Sequence, residues 1–113
     1  MKIKRGCLYL ADLTPRFGAE PGKTRPVVVI QNDLLNEIPH SSTWILPCTT
    51  QLTPSNVLRV RLPKAISGNE KECDVMVDLS RSIDNRRFNK KLGEIPATLF
   101  DEIIEKLCLV GGL

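Results

Sequence analysis

Helical periodicity is confined to the C-terminal end of this chain, and that decides the kind of sheet it can build. From Pro96 onward the apolar residues Leu99, Phe100, Ile103, Ile104 and Leu107 recur at helical spacing. Asp101, Glu102, Glu105 and Lys106 take the opposite face, and Gly111-Gly112 follow the end. Everything upstream comes as short apolar runs separated by turn residues. Parallel strands need a crossover of a dozen or more residues, usually a helix. With no helix between most of the runs, the strands must pair largely antiparallel. The expected fold is mainly β: a small antiparallel β-barrel with one C-terminal helix against it, built as a single domain over residues 1–113.

The runs differ in how they are buried. Leu8–Leu13 ends at Thr14-Pro15 and reads as a strand closed by a turn. Pro26–Gln31, PVVVIQ, carries β-branched residues on consecutive positions, as expected where both faces of a strand are covered. Thr43–Thr49 is a third strand, in which Pro47 argues for an edge position or a bulge. In Val57–Leu62, Leu58, Val60 and Leu62 alternate with Arg59 and Arg61, the pattern of a half-buried strand. Cys73–Leu79 gives a fifth strand, and Lys90–Ile95 a short sixth.

Several function classes drop out at this stage. No run approaches the 18 or so apolar residues of a membrane span. The N-terminal MKIKRGCLYLADL has its apolar run broken by Asp12 and no small-residue cleavage site behind it, so a cytoplasmic protein is expected. Cys7, Cys48, Cys73 and Cys108 are scattered in or beside apolar stretches without a C-x-x-C pair, and read as buried free thiols. With His40 the only histidine, neither a metal nor a cofactor is expected. The net charge is +3. Arg81, Arg86, Arg87, Lys90 and Lys91 against Asp84 concentrate +4 within 81–91, a patch that could attract phosphate or could be a solvated turn.

Four segments and the closing helix carry a more specific signal. KRGCLYLADLTP, GAEPGKTRPVVVIQND, CTTQL and VDLSRSIDNRRF, in that order, resemble the MazF/PemK (Kid-type) toxins of bacterial type II toxin–antitoxin systems over nearly the whole chain. The resemblance implies an SH3-like barrel of the CcdB/MazF/PemK type, assembled as a homodimer. It also implies a ribosome-independent endoribonuclease that cuts single-stranded RNA, including mRNA, at short motifs without a metal, and so inhibits translation and growth. The implied partner is a cognate antitoxin whose acidic, partly disordered segment covers the RNA groove and through which the complex binds DNA. The arginine of the RPV motif falls on Arg25. The threonine after the third strand falls on Thr49, with Thr50 its neighbour. Two departures stand out: Ala19 in the middle of the G-x-E loop, which Pro21 stiffens, and Leu79 where glutamine is common after the acidic residue, here Asp78.

The chemistry can be written on those residues. Metal-free RNA cleavage uses the neighbouring 2′-hydroxyl as nucleophile and passes through a phosphorane with added negative charge. Arg25 suits its stabilisation, because a planar fork can hold two phosphate oxygens, and Thr49 can add a hydroxyl bond. A guanidinium pKa above about 12 leaves almost no neutral form near pH 7, so Arg25 is expected to act electrostatically. Glu20 and Asp78 are possible bases, and His40 reads as an ordinary loop residue. Arg16, Phe17, Glu20, Gly22, Lys23, Thr50 and Asp78 complete the expected RNA contacts, Arg16 on phosphate and Phe17 stacking on a base.

Bland alternatives accompany these assignments. Arg25 could merely salt-bridge Glu20 and fix its loop, Phe17 could pack under it, and Thr49 and Thr50 could be ordinary strand-end residues. The rival function from another class is a non-catalytic, CcdB-like gyrase-binding toxin of the same fold. Such toxins act through a tryptophan-containing tail, whereas this chain ends LCLVGGL and its one tryptophan, Trp44, is internal. A third reading, a barrel serving only as an interaction module, predicts binding without turnover.

Overall fold

The structure, a computed structural model, describes residues 1–15, 17–54 and 57–113. Its strands are β1 (Cys7–Asp12), β2 (Thr24–Val29), β3 (Ser42–Thr49), β4 (Arg59–Leu62), β5 (Cys73–Met76), β6 (Arg81–Asp84) and β7 (Phe88–Glu94). The helices are α1 (Asp33–Glu37) and α2 (Ala97–Gly111), and single 3-10 turns cover Val77–Leu79 and Asn85–Arg87. Every strand pair is antiparallel, as the missing crossovers require. The strand order is β4-β5-β3-β2-β1-β7, with β6 paired beside β5 on β3. The ends of this path, β4 and β7, are not joined, so the barrel is a loose one and the sheet is not closed.

Both faces of the central strands are covered, which is why β2 could carry three consecutive valines. Val28 turns to one side with Leu8, Leu46, Cys48, Val60, Leu62 and Val75, where α2 closes the layer with buried Ile103 and half-buried Leu99, Phe100, Ile104 and Leu107. Val27 and Val29 turn to the other side with Tyr9, Ala11, Leu13, Ile45, Ile83 and Phe88. There the rings of Tyr9 and Phe88 meet edge to face with centroids 5.4 Å apart. Helix α2 ends as its glycines suggest: Gly112 takes φ 69°, a left-handed cap that a side chain would disfavour. Among the described residues, no helix is long and apolar enough to cross a membrane.

Several sequence expectations need correction. Pro47 is on neither an edge nor a bulge, because β3 is internal. Its far side pairs with β6 through Ser42–Ile45 and with β5 through Cys48 and Thr49, and Pro47 stands in the gap where the neighbour changes, so its missing N–H costs no ladder bond there. The fifth strand stops at Met76, and Val77–Leu79 coils into a 3-10 turn. The fourth starts at Arg59 rather than Val57. The basic stretch contains a strand, β6, and the last strand begins at Phe88. A short helix, α1, also occupies the polar connection after β2, where the Asn32 side chain accepts from Leu34 N–H at 2.8 Å and caps it.

Candidate active site

Arg25 stands near the start of β2, opposite Ala11 on β1 and just beyond the stretch where β2 pairs with β3. That position lets two backbone carbonyls orient its guanidinium. Nε donates to Gly22 O at 2.8 Å, within its own loop, and Nη1 donates to Cys48 O at 3.1 Å, on β3. Cys48 O immediately precedes Thr49. Fixing the fork therefore also fixes the arginine beside the threonine. The sequence left open a bridge from Arg25 to Glu20; among the described residues Glu20 pairs with Arg81, Oε2 to Nη1 at 3.6 Å.

The loop before β2 is shaped by its backbone. Lys23 takes φ 66°, in the left-handed region, and its carbonyl accepts Leu13 N–H at 2.9 Å, so the loop folds back on the end of β1. Gly22 is buried in this fold, and its carbonyl holds Arg25. Thr49 ends β3, and its Oγ1 accepts Gln51 N–H at 3.1 Å, turning the chain after the strand.

Between this turn and the loop lies an open groove of about 750 Å³. Of the residues singled out from sequence, Glu20, Gly22, Lys23, Arg25, Thr49 and Thr50 all line it. Phe17 and Asp78 do not: Phe17 projects from the loop, 68% exposed, and Asp78 is exposed on the 3-10 turn, whereas its neighbour Leu79 lines the groove. Arg16 lies outside the described residues. Sequence reasoning missed Arg59, Gln51 and Met76, which also line the groove. The signal for Arg59 was present, since the alternation in β4 puts Arg59 and Arg61 on the polar face, but nothing in the sequence says what that face looks at.

Asp74 was missed too. It sits on β5 opposite Thr49, 1% exposed, and takes Arg61 Nε on Oδ1 at 2.5 Å and Thr53 N–H on Oδ2 at 3.0 Å, with Arg59 Nη1 at 3.6 Å. Burial pushes this carboxyl up. The hydrogen bonds from Arg61 and Thr53 and the two positive charges outweigh burial and leave it below the usual aspartate range.

Cys48 and Cys73 are buried neighbours under the same wall, and both are free thiols, as are buried Cys7 and half-buried Cys108. The contact with Cys73 and burial raise the Cys48 thiol well above its ordinary value, which makes it a packing group rather than a nucleophile.

The chain matches the family model of the PemK-like, MazF-like toxin of type II toxin–antitoxin systems over residues 4–111. It is similar to the endoribonuclease EndoA of Bacillus subtilis (strain 168), with 33% identity over 113 aligned positions covering 95% of this chain and 92% of the relative. Among solved structures it is similar to MazF (Form-I) from Deinococcus radiodurans, with a TM-score of 0.86 and 27% identity over 100% of this chain and 99% of that one. The MazE-MazF complex (Form-III) of the same organism matches with a TM-score of 0.80 and 26% identity, again over 100% and 99% of the two chains.

Proposed function

The chain belongs to the PemK-like, MazF-like toxins of type II toxin–antitoxin systems, and on that premise we propose that it cuts single-stranded RNA in the groove between the loop before β2 and the end of β3. The observation that carries this reading is the Arg25 fork, aimed by Gly22 O and Cys48 O and seated beside Thr49 in an open groove. The fork holds a non-bridging phosphate oxygen while the substrate's own 2′-hydroxyl attacks, and the Thr49 hydroxyl takes a second oxygen as charge develops. Both groups are positioned before the substrate arrives, so little reorganisation accompanies the reaction. The products are a 2′,3′-cyclic phosphate and a 5′-hydroxyl. No metal enters this scheme.

Glu20 is the better placed of the two candidate bases, because it lines the groove and Asp78 does not. Thr50, Gly22 and Lys23 line the same groove and are assigned to the RNA strand around the scissile bond. Leu79, where relatives commonly carry glutamine, offers an apolar surface to a base and so changes sequence preference rather than chemistry. The likeness to a MazE-MazF complex supports a cognate antitoxin as partner, with an acidic segment laid over the groove. A homodimer working in the cytoplasm completes the reading. The CcdB-like alternative is not favoured, since a relative aligned with 95% of this chain is an endoribonuclease.

Mapping 5′-hydroxyl ends on a long RNA treated with purified protein identifies the cut sites. An RNA oligonucleotide carrying one mapped site, with a single 2′-deoxy sugar immediately 5′ to the scissile phosphate, then tests the nucleophile. It should bind and stay intact, because Arg25 and Thr49 can stabilise a phosphorane but cannot supply the missing oxygen. Cleavage of that strand at the same bond would assign the attack to water or to a protein group. Binding of both strands with turnover of neither would make the protein an interaction module.

A further inference from the structure

The groove has a second arginine on the wall away from the loop. Arg59, on β4, lines the groove together with Arg25 and Thr49, although β4 and β2 are separated in the sheet by β5 and β3. Its guanidinium is steered much as that of Arg25 is: Nη1 donates to Gln51 O at 3.0 Å, in the turn that follows Thr49. Its backbone is steered as well, since Lys106 Nζ on α2 donates to Arg59 O at 2.7 Å.

The neighbouring charges leave Arg59 available. Buried Asp74 is the nearest carboxylate, but its oxygens take Arg61 Nε at 2.5 Å and Thr53 N–H at 3.0 Å as hydrogen bonds, and Arg59 stands at 3.6 Å. Arg61 also spans to Glu72 at 3.8 Å. The Asp74 carboxylate therefore orients Arg59 without using up its donors. The same carboxylate pins Thr53, so one buried group ties β4 and β5 to the turn after the candidate catalytic threonine.

We propose that Arg59 binds a phosphate of the RNA strand flanking the scissile one, and that Asp74 is the positioning residue that aims Arg59 and holds the Thr49–Thr53 turn. The inference rests on the nuclease reading above. It assigns two of the described arginines in the groove different work: Arg25 on the reacting phosphate, where its contribution grows in the transition state, and Arg59 on a phosphate that does not react, where its contribution is the same before and during reaction. A uniform contact of that second kind shows in KM and not in kcat. It also shows in salt dependence, because each phosphate contact to a single strand contributes about 0.7 to the slope of log affinity against log salt.

Fluorescence anisotropy with a labelled single-stranded RNA carrying one mapped cut site separates the possibilities, with Arg25→Ala in every protein so that the strand survives. Adding Arg59→Ala should weaken binding about tenfold and reduce the salt slope by about 0.7, while Arg59→Lys restores most of the slope. In steady-state assays on the otherwise wild-type protein, Arg59→Ala should raise KM with kcat nearly unchanged, whereas Asp74→Asn, which also loosens the turn after Thr49, should raise KM and lower kcat. Arg61→Ala is the control, because Arg61 shares Asp74 but does not line the groove, and it should leave the slope as it was. Arg59→Gln replaces Arg59→Ala should the alanine protein fail to give a normal melting transition. An unchanged slope in a folded Arg59 variant, or an equal fall in slope for Arg61→Ala, overturns the assignment while leaving the nuclease intact. Wild-type protein that neither binds nor cuts RNA overturns both.

Discussion

Two regions of this molecule carry arginines, and only one of them turns its arginines into the groove. Along 81–91 the positive charges are densest in sequence, yet all three arginines there are engaged within the protein. Arg86 chelates Asp84 through Nε and Nη2, both at 3.0 Å, and its hydrogen bonds hold the Asp84 carboxyl down at about 2. Arg87 donates to the carbonyls of Asp12 and Thr14, tying the end of β1 to the turn before β7. Arg81 takes Glu20. In the groove, main-chain carbonyls orient Arg25 and Arg59, with the Asp74 carboxylate 3.6 Å from Arg59 as well. Both regions take carbonyls and carboxylates as partners, Arg87 and Arg25 being held by carbonyls while Arg81 and Arg59 each stand 3.6 Å from a carboxylate. What sets Arg25 and Arg59 apart is that they line the open groove. Charge density along the chain thus does not by itself point to the groove, where the proposed catalytic arginine stands alone beside Pro26.

The sharpest test of that contrast is Arg25→Ala. Losing one donor aimed at developing charge costs roughly 3 to 4 kcal/mol in the transition state, about a hundredfold to a thousandfold in rate, in a protein that melts normally. Arg25→Lys should do little better, since a point charge cannot replace the fork. Wild-type turnover by a folded Arg25→Ala protein would move the chemistry elsewhere.

Asp74→Asn comes next, and its effect on stability is read directly from melts. It leaves Arg61 without its main partner, but that arginine is 40% exposed and water moderates the loss, so about 1 to 2 kcal/mol is expected from denaturant melts at pH 7. The sign of the pH effect follows from the lowered native pKa. Stabilisation by Asp74 is complete above the unfolded value near 4 and is lost as pH falls through the lower native one. Stability of the wild type should thus fall more steeply below about pH 4 than that of Asp74→Asn. Parallel acid limbs would show that the carboxylate contributes no charge term.

Thr49→Val keeps the β-branched shape at the end of β3 and removes only the hydroxyl. A tenfold fall in kcat, about 1.4 kcal/mol, is expected, with Thr49→Ser restoring most of it. Should valine match threonine, the hydroxyl is no oxyanion contact and serves only the turn through Gln51 N–H.

The smallest effect belongs to Arg86→Ala. Its side chain is 91% exposed and its partner is a surface aspartate, so neither melting temperature nor RNA affinity should move measurably. A large loss of RNA affinity there would erase the distinction between the two arginine regions.

Sequence alone determined the features that depend on neighbours close along the chain. Strand alternation, the run of β-branched residues in β2, the single amphipathic helix and the absence of crossover helices follow from local periodicity, and together they specify an antiparallel sheet with α2 against it. The Arg25 and Thr49 pairing was legible through motif resemblance, because both stand at strand termini whose order in the chain is characteristic. Tertiary structure decided everything that joins distant segments. Pro47 became an internal residue because β3 changes neighbours beside it, Glu20 paired with Arg81 across 61 positions, and Asp74 came to face Thr49 and Arg61 because β5 lies between β3 and β4. Phe17 and Asp78 fell outside the groove for a related reason: a residue's place in a loop or turn says nothing about the direction in which that loop is folded. A pairing partner is chosen by sheet order and register, and these minimise the free energy of the whole packed chain rather than of any segment of it.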